Sequence, residues 1–112
     1  MNQTQKQVIY FSVEFQATTG KRYAVSSNVS EVCFELDRFL GGSSPQERVA
    51  AVYGLEASVA LRAQYDTIYN QVVEEFQNQD TYKTFILHSI GAYDSTAYLQ
   101  FCIARTIEKM MK

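Results

Sequence analysis

The sequence has no tryptophan, one proline and one histidine, and its two cysteines stand far apart. Each scarcity narrows what the chain can do. The lone histidine lies in Phe85-Ile86-Leu87-His88-Ser89, where its neighbour Ser89 would face elsewhere on a helix, so a nucleophile–base pair would need a cysteine from another element. Cys33, Cys102 and His88 fall short of a four-ligand zinc set and lack the close paired spacing such sites use, so no metal or cofactor is expected. Apolar runs extend over only a few residues, such as Phe85-Ile86-Leu87, which excludes a bilayer-spanning helix. Met1 to Lys6 is polar and no apolar stretch of secretory type follows it. With Cys33 and Cys102 read as buried thiols (a disulfide between them stays open), the expected location is the cytoplasm, or the cytoplasm of a host.

An excess of charge is missing too. The formal net charge is −2, so no global field attracts a polyanion. The ten basic residues are scattered, and only Arg105, Lys109 and Lys112 approach a cluster. That cluster sits at the end of the last expected helix, where positive charge suits the macrodipole. Nucleic acid is therefore not the expected partner. Gly41-Gly42-Ser43-Ser44-Pro45 leads to a helix start as phosphate-binding loops do, but it has no lysine there and reads as a connector. Repeats, low-complexity tracts and linkers are also lacking, so residues 1–112 read as a single globular domain.

What the chain does have is apolar and aromatic. Hydrophobic residues make up 46% of it, enough for one core without staples, and eight Tyr and seven Phe stand out. Ile9, Phe11, Val13, Phe15 and Ala17 alternate with polar positions, Thr18-Thr19-Gly20-Lys21 supplies turn chemistry, and Tyr23 and Val25 resume the alternation. This predicts an antiparallel β-hairpin over about 7–26. Asn28-Val29-Ser30-Glu31 forms a capping box before an apolar stripe of Val29, Val32, Cys33, Leu36, Phe39 and Leu40, which predicts a helix over about 29–40 closed by Gly41-Gly42.

Ser44 as cap and Pro45 in the first turn start a second helix over about 45–53, with Val49, Val52 and Tyr53 expected inward. Gly54 either ends it or weakens it. A long helix over about 56–77 is expected to carry Leu55, Val59, Leu61, Tyr65, Ile68, Tyr69, Val72, Val73 and Phe76 inward. Residues 82–90 are ambiguous between helix and a third strand; helix over about 81–90 is preferred. After Gly91, Asp94 or Ser95 caps a last helix over about 95–111. The expected fold is α+β, a hairpin packed against four or five amphipathic helices.

The carboxylate pairs Glu31/Glu35 and Glu74/Glu75 fall on the wet sides of these helices, where charge usually means solvation rather than acid–base work. The function expected is therefore contact rather than chemistry. The chain reads as a non-enzymatic protein-binding regulator or inhibitor, a class that includes immunity-type proteins and phage or mobile-element inhibitors of bacterial defence. Candidate contact residues are Tyr10 and Glu14 on the outer hairpin face, Glu31, Glu35 and Asp37, Glu74 and Glu75, and Tyr93 in a loop. Because a two-stranded sheet keeps two open edges, a homodimer through the hairpin is also expected. The alternative is a small ligand-binding domain or enzyme with a pocket between hairpin and helices, using His88, Tyr82 and Tyr93.

Overall fold

A computed structural model describes residues 10–40, 48–88 and 93–112. Among them are two strands, β1 (Tyr10–Gln16) and β2 (Arg22–Asn28), followed by six helices. These are α1 (Val29–Leu40), α2 (Arg48–Tyr53), α3 (Leu55–Arg62), α4 (Tyr65–Phe76), α5 (Gln79–Leu87) and α6 (Ser95–Met110). The fold is α+β, as the alternation and helical stripes require. No helix among the described residues is long and apolar enough to cross a membrane.

The strands pair antiparallel with Val13 opposite Val25, and Gly20 closes the turn at a φ of 95°, which a residue with a Cβ adopts only with strain. Phe11, Val13 and Val25 face the helices, while Tyr10, Ser12, Glu14 and Gln16 face solvent. The strand edges are partly plugged. Ala17 N–H donates to the Lys21 carbonyl (2.8 Å), so the alternation of the ladder turns the carbonyls of Glu14 and Arg22 away from the partner strand. Gln79 Nε2 donates to the first (3.0 Å) and the Tyr93 hydroxyl to the second (3.0 Å).

β2 runs directly into α1, because Asn28 Oδ1 accepts the Glu31 N–H (3.0 Å) and so starts the helix without a loop. Phe11 meets Phe76 edge to face at 5.2 Å, fastening the hairpin to α4. Tyr98 on α6 gathers the other rings, with Phe76 at 4.6 Å, Tyr82 at 4.9 Å and Phe85 at 5.2 Å. Its buried hydroxyl donates to the Phe76 carbonyl (2.9 Å), so the last turn of α4 keeps a partner for that oxygen. Such pairs contribute about 0.5–1.5 kcal/mol each beyond burial, which explains where much of the aromatic excess goes.

Several expectations need correction. The helix expected over about 56–77 is two helices. Gln64 N–H bonds back three residues to the Leu61 carbonyl (2.9 Å), and the chain restarts at Tyr65. The buried stripe is Ser58, Leu61, Ile68, Val72 and Phe76. Within α3, Leu55 lies about 90° and Val59 about 130° round from the middle of the Ser58–Leu61 stripe at 100° per residue, and both are exposed. Val52 and Tyr53, also expected inward, are exposed: α2 buries Val49 alone among its described side chains before Gly54, at a φ of 99°, ends it. The helix preferred over about 81–90 is found at residues 79–87, begun by Asn78, whose side chain accepts from the Asp80 and Thr81 amides. Asp94, not Ser95, caps α6. The helix start at Ser44-Pro45, the Gly41-Gly42 stop, and residues 7–9, 89 and 90 lie outside the described residues.

Candidate protein-interaction surfaces

α1 is an amphipathic helix whose wet side is not uniformly polar. Its buried stripe comprises Val32, Glu35, Leu36, Phe39 and Leu40, while Phe34 points outward with 61% of its surface exposed. The Arg38 guanidinium lies over that ring at 5.7 Å. Between α1 and the start of α6 an open groove of about 420 Å3 is lined by Ser30, Glu31, Phe34, Glu35, Thr96 and Leu99. Two carboxylates and an exposed ring thus share one concavity.

The carboxylates differ in how they are held. Glu31 is half-buried and accepts the Ser27 hydroxyl at 2.7 Å. Glu35, expected on the wet side, is buried, because it stands three residues after Val32 and four before Phe39 and so falls on the apolar stripe. It stays satisfied through Gln100 Nε2 at 3.1 Å, with Arg38 Nη1 at 3.9 Å. Asp37 is exposed on the same helix, beside Tyr65 of α4. Burial, then the neighbouring Cys33 thiol and the Asp37 carboxylate, push the Tyr65 phenol above its ordinary value.

The remaining candidates do not join this group. Glu75, also expected on a wet face, is drawn into the helix layer, where it accepts from Thr81 Oγ1 (2.7 Å), Arg105 Nε (3.0 Å) and Lys109 Nζ (3.0 Å). Burial alone would raise its pKa, but the hydrogen bonds from Thr81, Lys109 and Arg105 outweigh that and hold the carboxyl below its ordinary range. Its work is structural. Glu74 is exposed on α4. Glu14 pairs with Arg22 Nη2 across the hairpin at 2.8 Å, both exposed, and Tyr10 stands free of the core at the strand's start. Tyr93 is exposed but stacked on Tyr23 at 5.5 Å.

Of the residues suspected of lining a ligand pocket, Tyr82 and Tyr93 lie near one another, but neither lines a cavity described above. Tyr82 is fully buried, and burial, then the nearby phenols of Tyr93 and Tyr23, push its own phenol up to about 12. His88 is exposed at the end of α5. Among the described residues no group of three or more His, Cys, Asp or Glu is placed to hold a metal ion. Both cysteines are free; Cys102 is buried and its thiol is pushed up to about 12, chiefly by desolvation.

A second surface was not foreseen. Val52, Tyr53, Leu55 and Val59 are all exposed around the α2–α3 corner. Beside it an apolar groove of about 180 Å3 runs between Phe39, Val49, Val52, Tyr53, Ala104 and Ile107. The signal for Phe34 was an aromatic off the stripe of α1; Leu55 and Val59 carried no such signal, because the break between α3 and α4 removes any common helical phase with Ile68, Val72 and Phe76. No protein family, curated protein or solved structure matches this chain.

Proposed function

We propose that the chain is a non-enzymatic protein-binding regulator or inhibitor that covers a partner's surface with α1 and the start of α6, and that the partner presents a basic contact. The supporting observation is Phe34, which stands exposed on the rim of the groove that holds Glu31 and Glu35. Burying that ring would contribute about 1.5–3 kcal/mol, and aromatic anchors of this kind dominate interface energies. The two carboxylates are already partly withdrawn from water by Ser27, Gln100 and the helix itself, so an incoming Lys or Arg would meet them in a lower dielectric than on an open surface. Asp37 adds charge of the same sign nearby, against the single Arg38. The two free thiols favour a reducing compartment, the cytoplasm of the cell or of a host.

Capture from lysate with the wild type, Phe34→Ala and Glu31→Gln, followed by mass spectrometry, tests this. One partner with a basic contact surface should be retained by the wild type, released by added salt, and lost with either variant. Equal capture by all three proteins would refute the reading. A large thermal stabilisation by one small molecule would refute it too, in favour of a ligand-binding domain.

A further inference from the structure

We infer that the α1 groove takes an arginine side chain of the partner, which deepens the reading of this groove as a contact surface and rests on it. The observation behind it is how poorly Glu35 is compensated. Its side chain is 8% exposed, against 12% for Glu75. Glu75 accepts from Thr81 at 2.7 Å and from Arg105 and Lys109 at 3.0 Å each. Glu35, withdrawn from water at least as far, accepts one hydrogen bond, from the neutral Gln100 amide on Oε1 at 3.1 Å. Arg38 Nη1 stands 3.9 Å from that same oxygen, beyond hydrogen-bond reach. No described residue donates to Oε2, and that oxygen is not sealed from solvent. Taking a carboxylate out of water costs free energy that a single amide does not return, whereas a cation reaching Oε2 would.

The cation that fits is a guanidinium. The side chains lining the groove include two carboxylates and no cation. Glu31, Phe34 and Glu35 stand three and four residues apart on α1, so they flank one spot on the helix surface. Glu31 gives Oε1 to the Ser27 hydroxyl, and no described residue donates to its Oε2, so each carboxylate keeps an oxygen for a ligand. A guanidinium carries five donors in one plane, and can bond carboxylates through its edge while its face lies on an aromatic ring. A lysine ammonium is a compact, more strongly hydrated point charge that cannot do both. The ring already tolerates this neighbour. Arg38 lies over Phe34 at 5.7 Å, but it does not line the groove, whose carboxylate oxygens stay open.

NMR titration of the isotope-labelled protein with three blocked tripeptides, alanine flanking arginine, lysine or citrulline, is the direct test. The arginine peptide should shift the amides of Glu31, Phe34, Glu35 and Thr96 and saturate with a Kd of about 1 mM. Lysine loses the planar fork and citrulline the charge, so both should bind at least about 10-fold more weakly. Glu35→Gln keeps an acceptor for Gln100 and should abolish the preference for arginine. Because it also removes a poorly compensated charge, it should not lower Tm, unlike Glu75→Gln. Arginine and lysine peptides bound equally well in the groove would overturn the inference and leave the proposed basic contact standing. If no peptide bound, the inference would fail, and capture with Phe34→Ala would still judge the proposed function by itself. Arginine bound only after Lys6→Gln would make this chain's own lysine the occupant, which also overturns it. A Glu35→Gln protein destabilised as much as Glu75→Gln would show that this carboxylate serves the fold instead.

Discussion

Glu75 is the carboxylate whose removal should cost the fold most, and its surroundings allow the cost to be worked out. Its side chain is 12% exposed and joins Thr81 of the α5 start to Arg105 and Lys109 of α6, so one residue of α4 ties three helices. A hydrogen bond to a charged group contributes about 1.5–3 kcal/mol when buried. Lys109 is 57% exposed, so its share falls below about 1 kcal/mol, and Arg105 at 35% exposed is discounted in part. Thr81, itself buried, keeps most of its value. Glu75→Ala loses all three and should destabilise by about 3 kcal/mol; Glu75→Gln keeps an acceptor without the charge and should lose about 2 kcal/mol. For a chain of this size about 2 kcal/mol lowers Tm by roughly 8 °C.

The pH dependence follows from the direction of the shift. The folded carboxyl titrates below its ordinary value of 4.5, so its contribution is complete above that value and drains away as pH falls through the folded pKa. Urea unfolding of wild type and Glu75→Gln at pH 7 should therefore differ by about 2 kcal/mol, and the gap should close towards pH 2 as the wild-type carboxyl protonates. Variants equal to within about 0.5 kcal/mol at pH 7, or a gap unchanged in acid, would refute the account of Glu75 as an ionised tie between helices.

Three further outcomes are expected. Tyr98→Phe removes the donor to the buried Phe76 carbonyl while keeping the ring at the centre of the aromatic cluster, and should cost about 1–2 kcal/mol by urea unfolding. Gly54→Ala meets no atom within 4 Å of the new Cβ, yet the φ of 99° and ψ of 161° are conformations that only glycine adopts readily, so a loss of about 1–3 kcal/mol should appear as pure backbone strain. Cys102, buried and with its thiol pushed up to about 12, should not react with a thiol reagent at pH 8 until denaturant is added, when both cysteines should titrate.

The fold was legible where two signals agreed. The hairpin had period-two alternation and a glycine turn, and α1 had a cap and a six-residue apolar stripe, so both appear where expected. The split between α3 and α4 was not legible, since neither proline nor glycine marks Ala63-Gln64. The restart there lies where α3 hands over to α4, one buried stripe following the other, which is a tertiary effect that no local propensity states. Glu35 and Glu75 were misplaced for a different reason. A carboxylate is scored as wet by type, yet both are satisfied inside by residues 65 and 30 positions away, Gln100 and Arg105, which sequence distance conceals.

The candidate surfaces were the least legible part, and the reason bears on how they should be judged. A single exposed Leu or Val on a helix is ordinary, because polar surface is too scarce to cover a small protein. Phe34, Leu55 and Val59 each pass as ordinary when read one at a time. Val52, Tyr53, Leu55 and Val59 follow one another closely around the Gly54 turn, and only their number on so short a stretch sets them apart. Phe34 has no such company; its claim rests on the two carboxylates that share its groove, where a cationic partner surface would meet their charge while it covers the ring. Salt should therefore weaken capture through the α1 groove, and capture unchanged in about 0.5 M NaCl would show that the contact is not made through these carboxylates.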